Sequence, residues 1–320
     1  MSSEAESEHG APFPVITVDP LSSELTEQMG SKEKFWFEHD VFGRTLFKAA
    51  RPGSGEDWAE KVAEGVADML GLPHAKYELA VAASHYGVIS PSFVGQEESL
   101  IHGNELMSGA SSMYSLAVEI EGGRTSQYTL PLVLATIEQS EAVLPPAWLP
   151  PSGVRSAADL FVGYLLHDAM VGNTDRHQEN WGIIDRSTST GVRIRYLAPQ
   201  FDTASCLGRN ESDQQRLRRL AGLEGSDVRH YANRARSPFF LDPESHRGLT
   251  VFDCFRHASR IRPRAAKAWI DSMGAIALTQ ITDLLFRIPE SRMSEPARRF
   301  ALEMIIHNQA RLLELRGNIS

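Results

Sequence analysis

The chain has 320 residues and a mass of 35.4 kDa, enough for one large domain or two ordinary domains with a hydrophobic core. Hydrophobic residues make up 42% and charged residues 23%, a composition typical of folded proteins. The apolar runs are shorter than the roughly 18 residues of a membrane-spanning helix, and the net charge of −9 argues against general binding to nucleic-acid phosphates. We therefore expect no membrane partner and no direct nucleic-acid partner.

The N-terminus and the cysteines indicate the cellular compartment. The first residues, MSSEAESEHG, lack the basic start and apolar core of a signal peptide, and only Cys206 and Cys254 are present. A reducing, cytoplasmic location is the simplest expectation. Because they are polar, acidic and rich in proline, residues 1–25 are predicted to form a flexible arm.

The next segment predicts a small sheet with one helix. Aromatic and β-branched residues on both sides of His39–Gly43 predict two strands joined by a turn. The second strand, RTLFKAA, contains Lys48. The segment GEDWAEKVAEGVADMLGLP has apolar residues at helical spacing, ends at a glycine and a proline, and carries Glu60. Two more strand-like runs, YELAVAA and GVISPSF, complete the sheet.

Lys48 and Glu60 have the arrangement of a nucleotide site. Most strand lysines simply face solvent, so an isolated Lys48 would indicate little. A strand lysine followed by a helix glutamate, however, is the ion pair with which kinases hold a lysine near nucleotide phosphates. The turn before the first strand could cover the phosphates, with Gly30 allowing close approach and Ser31 and Lys32 adding donors. A Gly-Ser pair is nevertheless more often an ordinary turn.

The rest of the chain is predicted to be mainly helical. We assign residues 26–105 to a nucleotide-binding lobe and 106–320 to a helical catalytic lobe, with the hinge within 88–106. A helix is predicted over TLPLVLATIEQS, and a core helix over AADLFVGYLLHDAMV leads into the next loop. We assign structural roles to His167 and Asp168 in that core helix.

The densest chemistry of the chain lies in residues 171–202. Asp175 and Asn180 have the spacing of the D-x-x-x-x-N catalytic loop of protein kinases. A strand, IRYLAPQFDTA, is predicted to end at a second carboxylate, Asp202. Phosphoryl transfer needs an aspartate that orients or deprotonates the attacking hydroxyl, and oxygen ligands that hold Mg²⁺ on the phosphates.

Two other interpretations of this loop remain open. Asn-Thr-Asp often forms only a turn through side-chain to backbone hydrogen bonds. His177, two residues after Asp175, also suggests a metal hydrolase in which D-x-H binds a transition metal, although the other histidines are scattered.

A segment rich in arginine follows Asp202. Such charges usually face water, but a segment beside an active site could also receive a substrate or a phosphate. The arginines of this segment are Arg216, Arg218, Arg219, Arg229, Arg234 and Arg236.

Several of these motifs together resemble the HipA-like serine/threonine kinases. GNTDRHQENW and LAPQFDTASCLG resemble the catalytic loop and metal-binding segment of that family, GSKEK resembles its phosphate loop, and LFK with the downstream glutamate also fits. The resemblance implies an α+β, two-lobed protein-kinase-like fold, with a small antiparallel sheet lobe carrying one helix and a larger, mainly helical lobe. It resembles the compact members that lack the extra N-terminal subdomain of the larger toxins.

The resemblance also implies roles for single residues. Asp175 would be the catalytic base, Asn180 and Asp202 the Mg²⁺ ligands, and Lys48 the ATP-phosphate lysine fixed by Glu60. His177 is grouped with Asp175 as a catalytic residue and would support the loop.

The expected partners are a protein carrying a serine or threonine acceptor and, as in toxin-antitoxin pairs, an antitoxin or regulator. Some members of the family phosphorylate a serine just before the phosphate-loop glycine, whereas this chain has Thr26, Glu27 and Met29 nearby. Thr26 and Ser31 remain candidates for autophosphorylation. A lipid or small-molecule kinase, or a catalytically silent binding protein, remains an alternative function.

Overall fold

A computed structural model gives the fold of the chain. For residues 23–26 it describes the backbone alone. The described residues are 10–19, 23–26, 34–111, 114, 125–187, 191–222 and 226–319.

A six-stranded sheet forms the N-terminal lobe, in the order β1-β5-β6-β4-β3-β2. All neighbouring strands are antiparallel except β1 and β5, which are parallel. In β4, Thr45, Phe47 and Ala49 are buried on one face, which places Lys48 on the opposite face because strand side chains alternate. The strands are β1 Val15–Val18, β2 Ser23–Thr26, β3 Lys34–His39, β4 Gly43–Ala49, β5 Glu78–Ala82 and β6 His85–Pro91.

One helix, α1 (Glu56–Met69), belongs to this lobe. The helix contacts β5 and β6, and Gly71 follows its end with a left-handed backbone (φ 70°) that favours glycine. Most of its residues are buried, including the charged Glu56, Asp57 and Glu60. Because buried carboxylates need partners, these three residues connect α1 to other parts of the chain.

The chain leaves this sheet at residues 92–97, within the predicted hinge interval, and enters a second, three-stranded antiparallel sheet. This sheet has the order β7-β8-β9. Its strands are β7 Glu98–His102, β8 Gly182–Ser187 and β9 Arg193–Leu197. Helix α2 (Gly103–Ala110) follows β7 directly, so the boundary predicted between residues 105 and 106 falls inside this helix.

Helix α4 (Ala157–Val171) lies at the centre of the C-terminal lobe. All of its residues except Asp159 are buried, which is typical of a helix surrounded by other helices. The side chain of Ser156 caps its first turn by accepting a hydrogen bond from the backbone N–H of Asp159 at 3.2 Å. Two of the surrounding helices, α7 and α8, contact α4 directly. The other helices of the lobe are α3 Leu130–Gln139, α5 Asp213–Leu220, α6 Val228–Asn233, α7 Val251–Ile261, α8 Pro263–Gly274, α9 Leu278–Phe286 and α10 Glu295–Leu315.

The α+β, two-lobed fold expected from the sequence is confirmed, with three local corrections. Val15–Val18 pairs with β5, so this part of the predicted flexible arm is a strand of the sheet, and β2 also begins before the predicted start of the lobe. The sheet is not wholly antiparallel, because β1 runs parallel to β5. Strand β9 ends at Leu197, five residues before Asp202, since Pro199 has no N–H to continue the ladder. No helix in the described ranges is long and apolar enough to cross a bilayer.

Arg292 connects the two lobes. Its side chain is buried, and its Nε donates to Asp57 Oδ2 of α1 at 2.7 Å. Its Nη2 donates to the backbone oxygens of Ala80 and Gly87 in the sheet, both at 2.9 Å. One residue between α9 and α10 therefore neutralises a buried carboxylate and binds two strands.

We predict that Arg292→Ala destabilises the fold strongly, because it leaves the Asp57 carboxylate buried without its cation. The free energy of unfolding, measured by urea denaturation, should fall by about 3–5 kcal/mol. Arg299→Ala is the matched control, because Arg299 forms an exposed pair with Glu295 at 3.7 Å. The free energy of unfolding of this control should fall by less than about 1 kcal/mol. Equal losses in the two variants would contradict this role of Arg292.

Candidate active site

Three charged side chains meet between the lobes. The Lys48 ammonium on β4 donates to Glu60 Oε2 on α1 at 3.1 Å and to Asp202 Oδ1 at 2.5 Å. The exposed fraction of the side chain is 1% for Glu60, 17% for Lys48 and 42% for Asp202. The ion pair predicted between the strand lysine and the helix glutamate is thus present, and it includes Asp202.

Glu60 also holds the segment that follows Asp202. Its second oxygen, Oε1, accepts hydrogen bonds from the Thr203 backbone N–H at 2.6 Å and from Thr203 Oγ1 at 3.3 Å. Both carboxylate oxygens therefore have donors, which is what a buried carboxylate needs. As a result, one glutamate fixes the positions of Lys48 and of the backbone next to Asp202.

The charge state of Lys48 follows from its neighbours. Burial alone lowers the pKa of this ammonium, but the carboxylates of Asp202 and Glu60 outweigh that effect, and its pKa is raised well above the ordinary value. Lys48 is therefore a fixed positive charge at every pH at which the protein is studied.

Asp202 has an unusual backbone. Its φ is 53°, in the left-handed region that residues other than glycine rarely adopt, and its N–H donates to Tyr77 Oη at 3.0 Å. Such conformations cost about 1–3 kcal/mol and persist where the surroundings enforce them, often at functional sites. The bonds to Tyr77 and from Thr203 to Glu60 supply that enforcement on both sides of Asp202.

The loop predicted to be catalytic starts where α4 ends. Gly172 has a left-handed backbone (φ 71°), which ends the helix and turns the chain into the loop. Within the loop, the backbone oxygen of Asp175 accepts from Asn180 Nδ2 at 2.6 Å and from the His177 N–H at 2.8 Å. The Asp175 carboxylate is left 39% exposed, so it can reach a ligand.

A buried arginine holds this loop on α4. Arg176 donates from Nε and Nη2 to the two carboxylate oxygens of Asp168 at 2.9 and 2.7 Å, and from Nη1 to the Asn180 backbone oxygen at 2.9 Å. Asn173 Nδ2 also donates to Asp168, at 2.8 Å. Although burial lowers the pKa of Arg176, Asp168 reverses the effect, so the guanidinium stays charged. Residues 173–180 thus have a fixed shape.

Ser205 joins the loop to the segment after Asp202. Its hydroxyl donates to Asp175 Oδ2 at 3.3 Å, and its backbone oxygen accepts from the N–H and Oγ1 of Thr174 at 3.0 and 3.2 Å. Through Ser205, Asp175 is positioned relative to Asp202. The site residues predicted on separate segments are in this way parts of one connected structure.

His177 contributes less to the loop than Arg176 does. Its Nδ1 accepts from the Glu179 N–H at 3.2 Å, which stabilises the turn locally, and its Nε2 lies 4.0 Å from Asp175 Oδ1. The ring is one-third exposed. Its predicted role as a support is therefore limited to one turn, and its catalytic role stays a prediction.

The predicted phosphate loop cannot be placed in this site. Gly30, Ser31 and Lys32 lie outside the described residues, as does the autophosphorylation candidate Ser31, and of Thr26 only the backbone is described, in β2.

The metal ligands predicted from the sequence have suitable chemistry. Because Asn180 uses its amide nitrogen to bind the Asp175 backbone, its amide oxygen is the end left for a cation, and Asp202 offers a carboxylate. Oxygen ligands of this kind suit Mg²⁺ rather than softer metals. Across the described ranges, no three His, Cys, Asp or Glu side chains form a group that could hold a metal ion, as a metal hydrolase with D-x-H would need.

Most of the residues that position the site belong to no motif that the sequence reveals. The sequence predicts a structural role for Asp168 but not its partner. No motif in it indicates that Arg176, Thr203, Ser205 and Tyr77 belong to the site. The one available signal was an acidic residue in the last turn of an apolar helix, followed by an arginine inside a polar loop. A charge at that position of a buried helix must be paired, and Arg176 was the nearest cation in sequence.

Comparisons with known proteins identify the fold. The structure is similar to a proinflammatory kinase, CtkA, from Helicobacter pylori, with a TM-score of 0.66 and 19% identity over 94% of this chain and 99% of the other. It is also similar to HipA from Shewanella oneidensis MR-1, solved with HipB and operator DNA, with a TM-score of 0.54 and 11% identity over 92% of this chain and 67% of the other. No protein-family model and no curated protein matches the sequence.

We predict that His167, which precedes Asp168 on α4 and contacts α1, makes stability depend on pH. Burial lowers its pKa to about 4, and its Nε2 lies 2.9 Å from the Ala63 backbone oxygen. The unfolded chain binds a proton at its ordinary value of about 6.5, whereas the folded protein does not. Between those values, each unit of falling pH should therefore cost up to about 1.4 kcal/mol.

The test compares urea unfolding of the wild type and His167→Gln at about pH 7 and about pH 5. The wild type should lose more stability than the variant between the two conditions. Burial also lowers the pKa of His74 to about 4, and His167 contributes to that shift, so both proteins are compared in a His74→Gln background in which this titration is removed. The same loss in both proteins would show that His167 is not the titrating group.

Proposed function

Since the chain has the fold of the HipA-like kinases, we propose that it is a kinase dependent on ATP and Mg²⁺ that phosphorylates serine or threonine residues of proteins, including its own chain. The observation that carries the proposal is the contact of Lys48 with both Glu60 and Asp202, connected through Ser205 to Asp175. A turn-forming loop alone would not require these connections.

Lys48 is suited to bind the phosphates of a nucleotide. Its positive charge is permanent, and Glu60 fixes its position, so little reorganisation is needed when an anion arrives. The lysine is held on the face of β4 opposite the buried Phe47. In this proposal Lys48 orients the ATP phosphates while α1 holds Lys48.

Asp175 is suited to accept a proton. Its carboxylate is partly exposed and is held by Ser205, while its backbone is fixed by Asn180 and His177. The acceptor hydroxyl oxygen attacks the γ-phosphorus, the bond from that phosphorus to the β,γ-bridging oxygen breaks, and ADP leaves. The hydroxyl proton passes to the Asp175 carboxylate.

Asn180 and Asp202 would hold the metal. When bound, Mg²⁺ would neutralise charge on the phosphate oxygens. Asp202 must exchange part of its contact with Lys48 for this role, and its exposed carboxylate allows that exchange. The fixed backbone on both sides of Asp202 keeps its position during the exchange.

A regulatory protein partner is a further part of the proposal. The Shewanella HipA structure contains HipB and operator DNA. We propose that a protein regulator also binds this chain, and we expect no direct contact with nucleic acid because of the net charge of −9.

We predict that Asp175→Asn lowers phosphoryl transfer by about 10²–10⁴-fold, because the amide cannot accept the hydroxyl proton. The measurement is transfer of label from γ-labelled ATP into lysate proteins and into the chain itself, with the labelled bands identified. Asp271→Asn is the control, since Asp271 forms an exposed pair with Arg316 far from the site. Full transfer by Asp175→Asn would disprove the assignment of the base.

The same assay separates the alternative functions. Label that appears in extracted lipids or small molecules, and not in protein, would indicate a lipid or small-molecule kinase. A wild-type chain that binds ATP but transfers no label would be a catalytically silent binding protein.

We predict that Asp202→Asn removes the effect of Mg²⁺ on nucleotide binding, because a neutral amide is a weaker ligand for this cation. Calorimetric titration with ATP, with and without Mg²⁺, should show tighter binding with the metal for the wild type and no such gain for the variant. Asp271→Asn should behave like the wild type. A metal-dependent gain that survives in Asp202→Asn would exclude Asp202 as a ligand.

A further inference from the structure

A cavity of about 510 Å³ adjoins the catalytic loop. Thr174 and Ser205 form one wall, and these residues flank or contact Asp175. Lys48, Asn180 and Asp202 do not line the cavity. It is therefore separate from the proposed nucleotide and metal ligands, but it lies next to the proposed base.

Another part of the cavity lining is cationic. Arg209, Arg219, Arg234 and Arg236 line it together with His230, and no aspartate or glutamate is among the described lining residues. Such a concentration of positive charge is unexpected by chance on a chain with a net charge of −9. Like charges placed together repel one another unless an anion binds between them.

Two of the four arginines are already paired. Arg209 forms an ion pair with Glu56 of α1, and Arg219 Nε donates to Glu211 Oε2 at 2.7 Å. These pairs fix the guanidinium groups and leave little free charge. Arg209 and Arg219 thus shape the cavity more than they attract a ligand.

The other two arginines form no direct ion pair with a carboxylate among the described residues. Arg234 Nη1 lies 3.3 Å from His230 Nε2, and Arg236 Nη1 donates to the Gly248 backbone oxygen at 2.5 Å. Burial and the positive charges of Arg247 and Arg234 lower the pKa of Arg236, and the nearby Asp253 carboxylate only partly offsets them. A bound anion would relieve this repulsion.

The remaining arginines predicted as a possible substrate segment lie elsewhere. Arg216 is buried and donates to the Gly208 backbone oxygen at 3.1 Å, which is a structural role. Arg218 on α5 and Arg229 on α6 are exposed and do not line the cavity. The segment therefore contains both solvated arginines and arginines that line a cavity beside the catalytic loop.

We propose that this cavity binds an oxyanion carried by the substrate protein, a carboxylate or a phosphoryl group close in sequence to the acceptor serine or threonine. Arginine forks suit both groups, because they donate two parallel hydrogen bonds to a pair of oxygens. The shared wall at Thr174 and Ser205 would then place the acceptor hydroxyl toward Asp175. The inference rests on the proposed kinase function and names the substrate class of that site.

The first test measures binding, which needs no catalysis. Fluorescein-labelled serine peptides that carry aspartate, phosphoserine, alanine or lysine near the acceptor are titrated with the full chain, and anisotropy is recorded. The wild type should bind the aspartate or phosphoserine peptide at least about tenfold more tightly than the alanine peptide, which corresponds to one charge-assisted contact. The acidic peptide that binds more tightly identifies whether the oxyanion is a carboxylate or a phosphoryl group.

Two matched double variants distinguish binding in the cavity from a general effect of the protein's net charge. Arg234→Gln/Arg236→Gln removes two cavity charges, whereas Arg218→Gln/Arg229→Gln removes two exposed charges from neighbouring helices. The first variant should lose the preference for acidic peptides and the second should keep it. Equal binding of all peptides by the wild type, or equal losses in both variants, would overturn the proposal.

A transfer assay with the same peptides distinguishes failure of the proposed kinase function from failure of the proposed oxyanion site. If the chain phosphorylates peptides, the ratio of kcat/KM for acidic over neutral peptides should fall toward one in Arg234→Gln/Arg236→Gln and stay unchanged in the control. Transfer without an acidic preference would overturn the inference alone. No transfer to any peptide or protein would overturn the kinase function, and the binding measurements would still decide whether the cavity takes an oxyanion.

Discussion

The position of the site depends on how the buried carboxylate of Glu60 is satisfied. One of its oxygens accepts from Lys48 and the other from Thr203, so a single side chain connects β4, α1 and the segment after β9. These elements are far apart in sequence, and the free energy penalty for a buried carboxylate without partners forces them together. The same constraint that stabilises the fold therefore brings Lys48 and Asp202 into contact.

The buried carboxylates in the first turn of α1 are likewise satisfied by partners from other segments. Glu56 pairs with Arg51 on one side and Arg209 on the other, and Asp57 pairs with Arg292. A helix N-terminus favours such acidic residues, so their charges serve both the helix and the contact between lobes. Because Arg209 also lines the cationic cavity, α1 touches the ion-pair cluster and the cavity at once. The nucleotide-facing and substrate-facing parts of the proposed site share this support.

Short-range patterns in the sequence predicted the strands around Lys48, helix α1 and the loop of Asp175, because alternation, helical spacing and turn residues are local properties. The order of a strand lysine and a following helix glutamate also predicted the pairing of Lys48 with Glu60. Long-range pairing was harder to predict. The β-branched run VITV favours a strand, but its parallel addition to β5 joins segments more than 60 residues apart, and nothing in the run specifies that partner or direction. Likewise, the partner of a buried charge such as Asp168 depends on which loop folds back over it.

The direct pairing of Lys48 with Asp202 limits the charge that the site can accept. Arg176 of the catalytic loop is neutralised by Asp168. Among the other described side chains of the ion-pair cluster and the catalytic loop, the carboxylates of Glu60, Asp202 and Asp175 outnumber the single ammonium of Lys48. A polyanion that entered alone would meet an excess of negative charge and would have to separate the lysine from its carboxylate. An anion that arrives already complexed to a divalent cation instead supplies the positive charge that Asp202 gives up. Under the proposed function, the site would therefore favour a ligand in its metal-bound form before any chemistry begins.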